Sequence, residues 1–182
     1  DVVFTPDGAR LASINDDGTT IIWDALSGEQ LITLTNEDSY PSTGIPRTAA
    51  FSPDGKILAV SDATQVVFWD AGRGERLFAL TGQSIGTETG YNLGVGQVSF
   101  RPDGKRLAVA NMDGASKVWD LATRTEVLSF ASGTQPAKAI AYAPDGKWLA
   151  TGGDEGIVKI WDAGSGEELF ALPLGGIIHS VA

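Results

Sequence analysis

The chain has 182 residues, 42% of them hydrophobic and 20% charged, which is enough apolar material for one sizeable globular core and too much for a disordered segment. Its formal net charge of −10, from 23 acidic and 13 basic residues, opposes binding to nucleic acid or to an anionic membrane, where affinity is built from Lys and Arg. There is no cysteine, hence no disulfide framework and no thiolate chemistry; together with an opening segment (Asp1-Val2-Val3-Phe4) that lacks a basic, apolar leader, this sets the expectation of a cytoplasmic protein without a membrane span.

The first predicted unit covers about residues 1–35. A short strand ends at Phe4, and Pro6-Asp7-Gly8 turns the chain, Pro presetting φ and Gly tolerating a positive one. A second strand carries Leu11-Ala12. Asp17-Gly18 is a hairpin signal, and the β-branched run Thr19-Thr20-Ile21-Ile22 leads into Trp23-Asp24 as a third strand. Ser27-Gly28-Glu29 then connects to a fourth strand, Gln30 to Leu34.

The same order recurs three more times, with the Trp-Asp pairs roughly 45 residues apart. The second unit, about 47–81, holds Phe51, Pro53-Asp54-Gly55, Leu58-Ala59, Trp69-Asp70 and Arg76 to Leu80. The third, about 97–131, holds Phe100, Pro102-Asp103-Gly104, Leu107-Ala108, Asp113-Gly114, Trp119-Asp120 and Glu126 to Phe130. The fourth, about 137–173, holds Tyr142, Pro144-Asp145-Gly146, Leu149-Ala150, Trp161-Asp162 and Glu168 to Leu172. Finally, His179-Ser180-Val181-Ala182 matches the segments that precede the aromatic elsewhere, such as Arg47-Thr48-Ala49-Ala50 and Lys138-Ala139-Ile140-Ala141, so residues 177–182 are expected to open a fifth unit.

Four copies of aromatic-x-Pro-Asp-Gly, Leu-Ala and Trp-Asp in fixed order resemble the WD-repeat family, whose members form β-propellers of four-stranded blades. The resemblance covers nearly the whole chain. It implies an all-β fold of four blades plus the first strand of a fifth, an open arc or partial ring. An arc leaves two blade faces uncovered, so either a longer chain or self-association with another copy is expected to complete the ring. The family's buried chain of His, Asp, Ser or Thr, and Trp is incomplete here. Asp17 and Asp113 occupy the Asp position, Glu155 stands there in the fourth unit, and Asp62 is displaced by one residue. Ser13 and Thr151 occupy the hydroxyl position, but Val60 and Val109 replace it in the other two units, and no unit has the His. The indoles of Trp23, Trp69, Trp119 and Trp161 are expected to pack between blades with hydrogen-bonded N–H groups, some of which must find other partners. Trp148, outside the motif and beside a turn, is equally suited to core or surface.

Little in the sequence supports catalysis or a cofactor. His179 is the single histidine, and with no cysteine it cannot build a common zinc site. A triad with Ser180 is opposed by strand alternation, which points neighbours to opposite faces. The acidic pairs Asp16-Asp17, Asp154-Glu155 and Glu167-Glu168 lack the alternate spacing of a calcium loop, and no metal or other cofactor is expected. Gly94-Val95-Gly96 has no third glycine and no following helix, so it is not a dinucleotide fingerprint.

The connections 36–46, 82–96 and 132–136 remain, and two of them carry aromatics. In WD-repeat proteins such loops share one face with the second-to-third-strand turns, a face commonly used for partners. The resemblance therefore implies a non-catalytic scaffold binding a protein or peptide through Asp16, Tyr40, Arg47, Tyr91, Asn92, Met112 and Asp154. Two alternatives stand beside it: a structural sector of a larger propeller joined to a signalling or effector domain, and a propeller-based hydrolase or lyase.

Overall fold

A computed structural model describes residues 1–15, 17–35, 47–62, 65–81, 95–131 and 136–182. Among these residues there is no helix, and sixteen strands form four antiparallel sheets, each meandering in chain order. The chain divides into two compact units, Asp1–Gln83 and Ser84–Ala182.

The first unit holds two sheets, or blades. Blade 1 is β1 (Val2–Phe4), β2 (Arg10–Ile14), β3 (Thr19–Asp24) and β4 (Gln30–Thr35). Blade 2 is β5 (Thr48–Phe51), β6 (Ile57–Ser61), β7 (Gln65–Asp70) and β8 (Arg76–Thr81). One core joins them: Ala12, Ile22 and Leu34 of blade 1 pack on Ala49, Phe51, Leu58, Val67, Trp69 and Ala71 of blade 2. At the seam, the Arg10 guanidinium donates to the Ala71 carbonyl at 3.0 Å, and the Thr48 hydroxyl donates to the Asp1 carboxylate at 2.9 Å.

The second unit repeats the plan. Blade 3 is β9 (Val95–Phe100), β10 (Arg106–Asn111), β11 (Ala115–Asp120) and β12 (Thr125–Ala131). Blade 4 is β13 (Ala137–Tyr142), β14 (Trp148–Gly153), β15 (Ile157–Asp162) and β16 (Glu168–Pro173). Val118 and Phe130 share a core with Ile140, Leu149 and Trp161, and the Phe130 and Trp161 rings stack with centroids 4.8 Å apart. Polar groups also cross this seam: the Gln97 side chain accepts from the Ile140 amide and the Ser99 hydroxyl from the Tyr142 amide.

Both turn motifs have a physical cause. In every Pro-Asp-Gly turn the Gly amide donates to the residue before Pro at 2.8 Å, with Gly8, Gly55, Gly104 and Gly146 all at φ near 70°. In every Trp-Asp pair the carboxylate accepts amides two and three residues ahead, as Asp24 does from Leu26 and Ser27 and Asp162 from Gly164 and Ser165. The third and fourth strands slip by one residue at the same place in all four blades, between Ile22 and Trp23, Phe68 and Trp69, Val118 and Trp119, and Ile160 and Trp161. Such a bulge re-aims the side chain beside it, here the tryptophan.

Residues 177–182 form no strand: a first strand exists only by pairing with the second strand of its own sheet. This segment instead folds back on the β14–β15 turn, where the Ile178 amide donates to Gly153 O at 3.0 Å. Trp148 is the first residue of β14 and is half exposed, which decides between core and surface.

Candidate functional site

The meander puts the second-to-third-strand turns and the starts of the first strands at one end of each sheet, and the Pro-Asp-Gly and Trp-Asp turns at the other. At the first end, short side chains lock the turns of blades 1, 2 and 3 to their own backbone. In blade 1 the Asp17 carboxylate accepts from the Thr19 hydroxyl at 2.7 Å and the Thr19 amide at 2.9 Å, and these bonds hold its pKa below the ordinary value. The Asn15 amide group donates to the same hydroxyl at 2.9 Å. In blade 2 the displaced Asp62 does the equivalent job, accepting from the amide and side chain of Gln65. In blade 3 Asp113 accepts from the Ala115 amide at 2.9 Å.

Asp17 and Asp113 therefore fix turns and are solvent exposed. Neither takes part in a buried chain ending on a tryptophan. Two indoles are served by the hydroxyl position: Trp23 Nε1 donates to Ser13 and Trp161 Nε1 to Thr151, both at 2.9 Å. Trp119 Nε1, enclosed in the blade that has Val109 at that position, finds no acceptor. Asn111, fully buried at the base of the blade 3 turn, likewise leaves both atoms of its side-chain amide unpartnered.

Of the expected contact residues, Asp16, Tyr40, Tyr91 and Asn92 lie outside the described residues. Arg47 is exposed and anchors the start of β5 through its amide, which donates to Ser61 O. Met112 is half buried beside the exposed Asp113. Asp154 is held by the Lys138 ammonium at 2.6 Å, with an enclosed carboxylate oxygen whose desolvation that ammonium offsets. In sequence Lys138 is only the counterpart of Arg47; its pairing with the turn needed the folded blade.

A feature at the opposite end escaped the sequence reading. Between blades 1 and 2 lies a notch of about 600 Å³ lined by Asp7, Arg10, Asp54, Lys56, Asp70 and Arg73. Its three carboxylates are engaged in turn hydrogen bonds, Asp7 with Thr5 and Ala9, Asp54 with Ser52 and Lys56, and Asp70 with Gly72 and Arg73. They are turn-formers balanced by three cations, and the hydroxyls beside them, Thr5 and Ser52, donate to the Asp7 and Asp54 carboxylates. His179 is exposed beyond β16, and no three groups able to hold a metal ion converge among the described residues.

The comparisons agree with this architecture. The family model described as "WD domain, G-beta repeat" matches residues 1–24 and 125–162. The model for the WD40 domain of anaphase-promoting complex subunit 4 matches residues 50–140, half of the chain. No curated protein matches. Among solved structures 1575 chains match, so the likeness speaks to architecture and not to a particular function. One is a chain from a crystal structure of the mitotic checkpoint complex, with a TM-score of 0.84 and 22% identity. The likeness covers 100% of the present chain and 52% of that one, so the present chain spans about half the length of the structure it matches.

Proposed function

Because the chain belongs to the WD-repeat family, we propose that it is a non-catalytic interaction scaffold, offering the end of its blades that carries the second-to-third-strand turns to a protein or peptide partner. The observation that carries this is the locking of those turns by Asp17, Asp62 and Asp113. Turns fixed by their own hydrogen bonds give Met112 a rigid base, and the Lys138 ammonium holds Asp154, which lowers the ordering cost of association; Asp16, next to Asp17 in sequence, completes the set. Tyr40, Tyr91, Asn92 and Arg47 contribute aromatic and hydrogen-bonding anchors from the connections and the start of β5. The structural relative's place in a multi-protein complex supports proteins as the partner class. Binding would proceed by shape and hydrogen-bond complementarity, with no covalent step.

The test is affinity capture from cells expressing the chain, comparing the parent with a Tyr91→Ala, Met112→Ala, Arg47→Ala variant of equal thermal stability. Asp154 is left intact, because its loss strands Lys138. A recurrent protein partner that the variant loses supports the site. A partner retained in full moves the site elsewhere, and capture of no protein at all removes the scaffold reading. A structural sector of a larger propeller is the second reading, favoured by the 52% coverage of the matched chain. It predicts further repeats or a fused domain in the full-length gene.

A further inference from the structure

Within each unit the two blades meet alike at the Pro-Asp-Gly end, yet one seam is filled and the other is open. Between blades 3 and 4 the residue before Pro102 is Arg101. Its Nε donates to the Gly146 carbonyl at 3.3 Å, and its guanidinium pairs with the Asp103 carboxylate at 3.3 Å. The side chain lies so close to the neighbouring turn that a Cβ on Gly146 would stand 3.2 Å from Nε and 3.4 Å from Cγ. An arginine thus bridges the Pro-Asp-Gly turn of one blade to that of the next.

Between blades 1 and 2 the residue before Pro6 is Thr5. It is too short to cross, and its hydroxyl donates to Asp7 at 2.6 Å within its own turn. A Cβ on Gly55, the counterpart of Gly146, would find no atom closer than 3.9 Å. The space that opens is the notch of about 600 Å³, a volume within the range of ligand cavities. It keeps the groups that hold Arg101 at the other seam: Gly55 stands for Gly146 and Asp7 for Asp103, and both line it. Asp7 and Asp70 take their turn hydrogen bonds on Oδ1, which leaves Oδ2 of each as an acceptor. The cations of the notch leave this position open. Arg10 donates to Ala71 O, the Lys56 side chain is 80% exposed at 3.8 Å from Asp54, and Arg73 is exposed.

We propose that the notch between blades 1 and 2 is a binding site for an arginine side chain of a protein or peptide partner. The guanidinium takes the place that Arg101 holds at the other seam, donating to Gly55 O and pairing with Asp7. A planar fork of donors meets a carbonyl and a carboxylate together, which the point charge of a lysine does less well. The site lies at the opposite end of the blades from the second-to-third-strand turns, so it stands or falls separately from the partner site proposed there.

The test is an NMR titration of the isotope-labelled 182-residue chain with the capped tripeptide acetyl-Gly-Arg-Gly-amide, read at the backbone amides. The amides of Gly8, Gly55 and Gly72 are expected to shift saturably, and those of Gly104 and Gly146, where Arg101 already sits, to stay in place. Acetyl-Gly-Lys-Gly-amide is expected to bind about fivefold more weakly or worse. Thr5→Arg, which fills the notch from its own chain, is expected to abolish the response. The blade 3 turn closes with arginine at that position, so this variant should fold. Arg101→Thr, the reverse exchange, is expected to bring Gly146 into the response. A parent with no saturable shift at Gly55 overturns the proposal. So does equal binding of the lysine peptide, a folded Thr5→Arg chain that responds like the parent, or a folded Arg101→Thr chain in which Gly146 stays silent.

Discussion

The indole N–H of Trp161 donates to the Thr151 hydroxyl at 2.9 Å, binding the third strand of blade 4 to its second. Ser13 does the same for Trp23 in blade 1. Blade 3 has Val109 at this position, fully buried, and the enclosed Trp119 N–H has no acceptor. A buried donor left unpaired costs about 1–3 kcal/mol. Val109→Thr, similar in size and in a strand that tolerates β-branching, is therefore expected to stabilise the chain by about 1 kcal/mol. Thr151→Val is expected to destabilise it by a comparable or larger amount. Urea unfolding of the two variants against the parent checks both signs, and a Val109→Thr chain less stable than the parent would remove the argument.

Arg124 sits at φ 59°, where blades 1, 2 and 4 place Gly28, Gly74 and Gly166. A left-handed conformation costs a non-glycine residue about 1–2 kcal/mol. Glycine avoids that cost but loses more chain entropy on folding, by about 0.5–1 kcal/mol. Arg124→Gly is thus expected to raise the melting temperature slightly, whereas Gly166→Arg is expected to lower it. Scanning calorimetry of the pair reads the difference.

Gly96 is needed for close approach. A Cβ there would lie 2.8 Å from the Lys138 carbonyl oxygen and 2.9 Å from that of Ala137, both backbone atoms of the neighbouring blade. Gly96→Val is expected to force β9 and β13 apart and cost about 3 kcal/mol or more, at the severe end of single substitutions. Hydrogen exchange in β9 and β13 should quicken well before that in β1–β8.

Acid should unfold the chain through its turns. Hydrogen bonds donated by the hydroxyls of Thr5, Thr19, Ser27, Ser52, Thr123 and Ser165 and by nearby backbone amides hold the carboxyls of Asp7, Asp17, Asp24, Asp54, Asp120 and Asp162, which accept them, below their ordinary value of 3.8. A folded-state pKa below the unfolded one gives stability that is complete above the unfolded value and is lost as pH falls through the depressed one. Melting temperature is therefore expected to decline below about pH 4. Replacing Asp24 and Asp162 by Asn should flatten that decline while lowering stability at neutral pH.

Much of this protein was legible because its signals are local. Each Pro-Asp-Gly and Trp-Asp turn is closed by hydrogen bonds within five residues, so the residues that make it stand together in the chain. The unserved Trp119 was foreseeable from Val109 for the same reason, since the two lie in paired strands of one hairpin. Less legible were the Lys138–Asp154 ion pair and the turn-locking role of Asp17 and Asp113. These depend on which side chains meet once the hairpins are formed and stacked.

The repeat, its strands, its turns and its family were determined by the sequence alone, because backbone hydrogen bonding and φ preference act over a few residues. Burial was decided only by tertiary structure. Leu34 and Leu172 hold the same repeat position, yet one is 3% and the other 46% exposed. The hydrophobic effect acts on area removed from water, and a strand's outer face loses that area only where another sheet arrives to cover it.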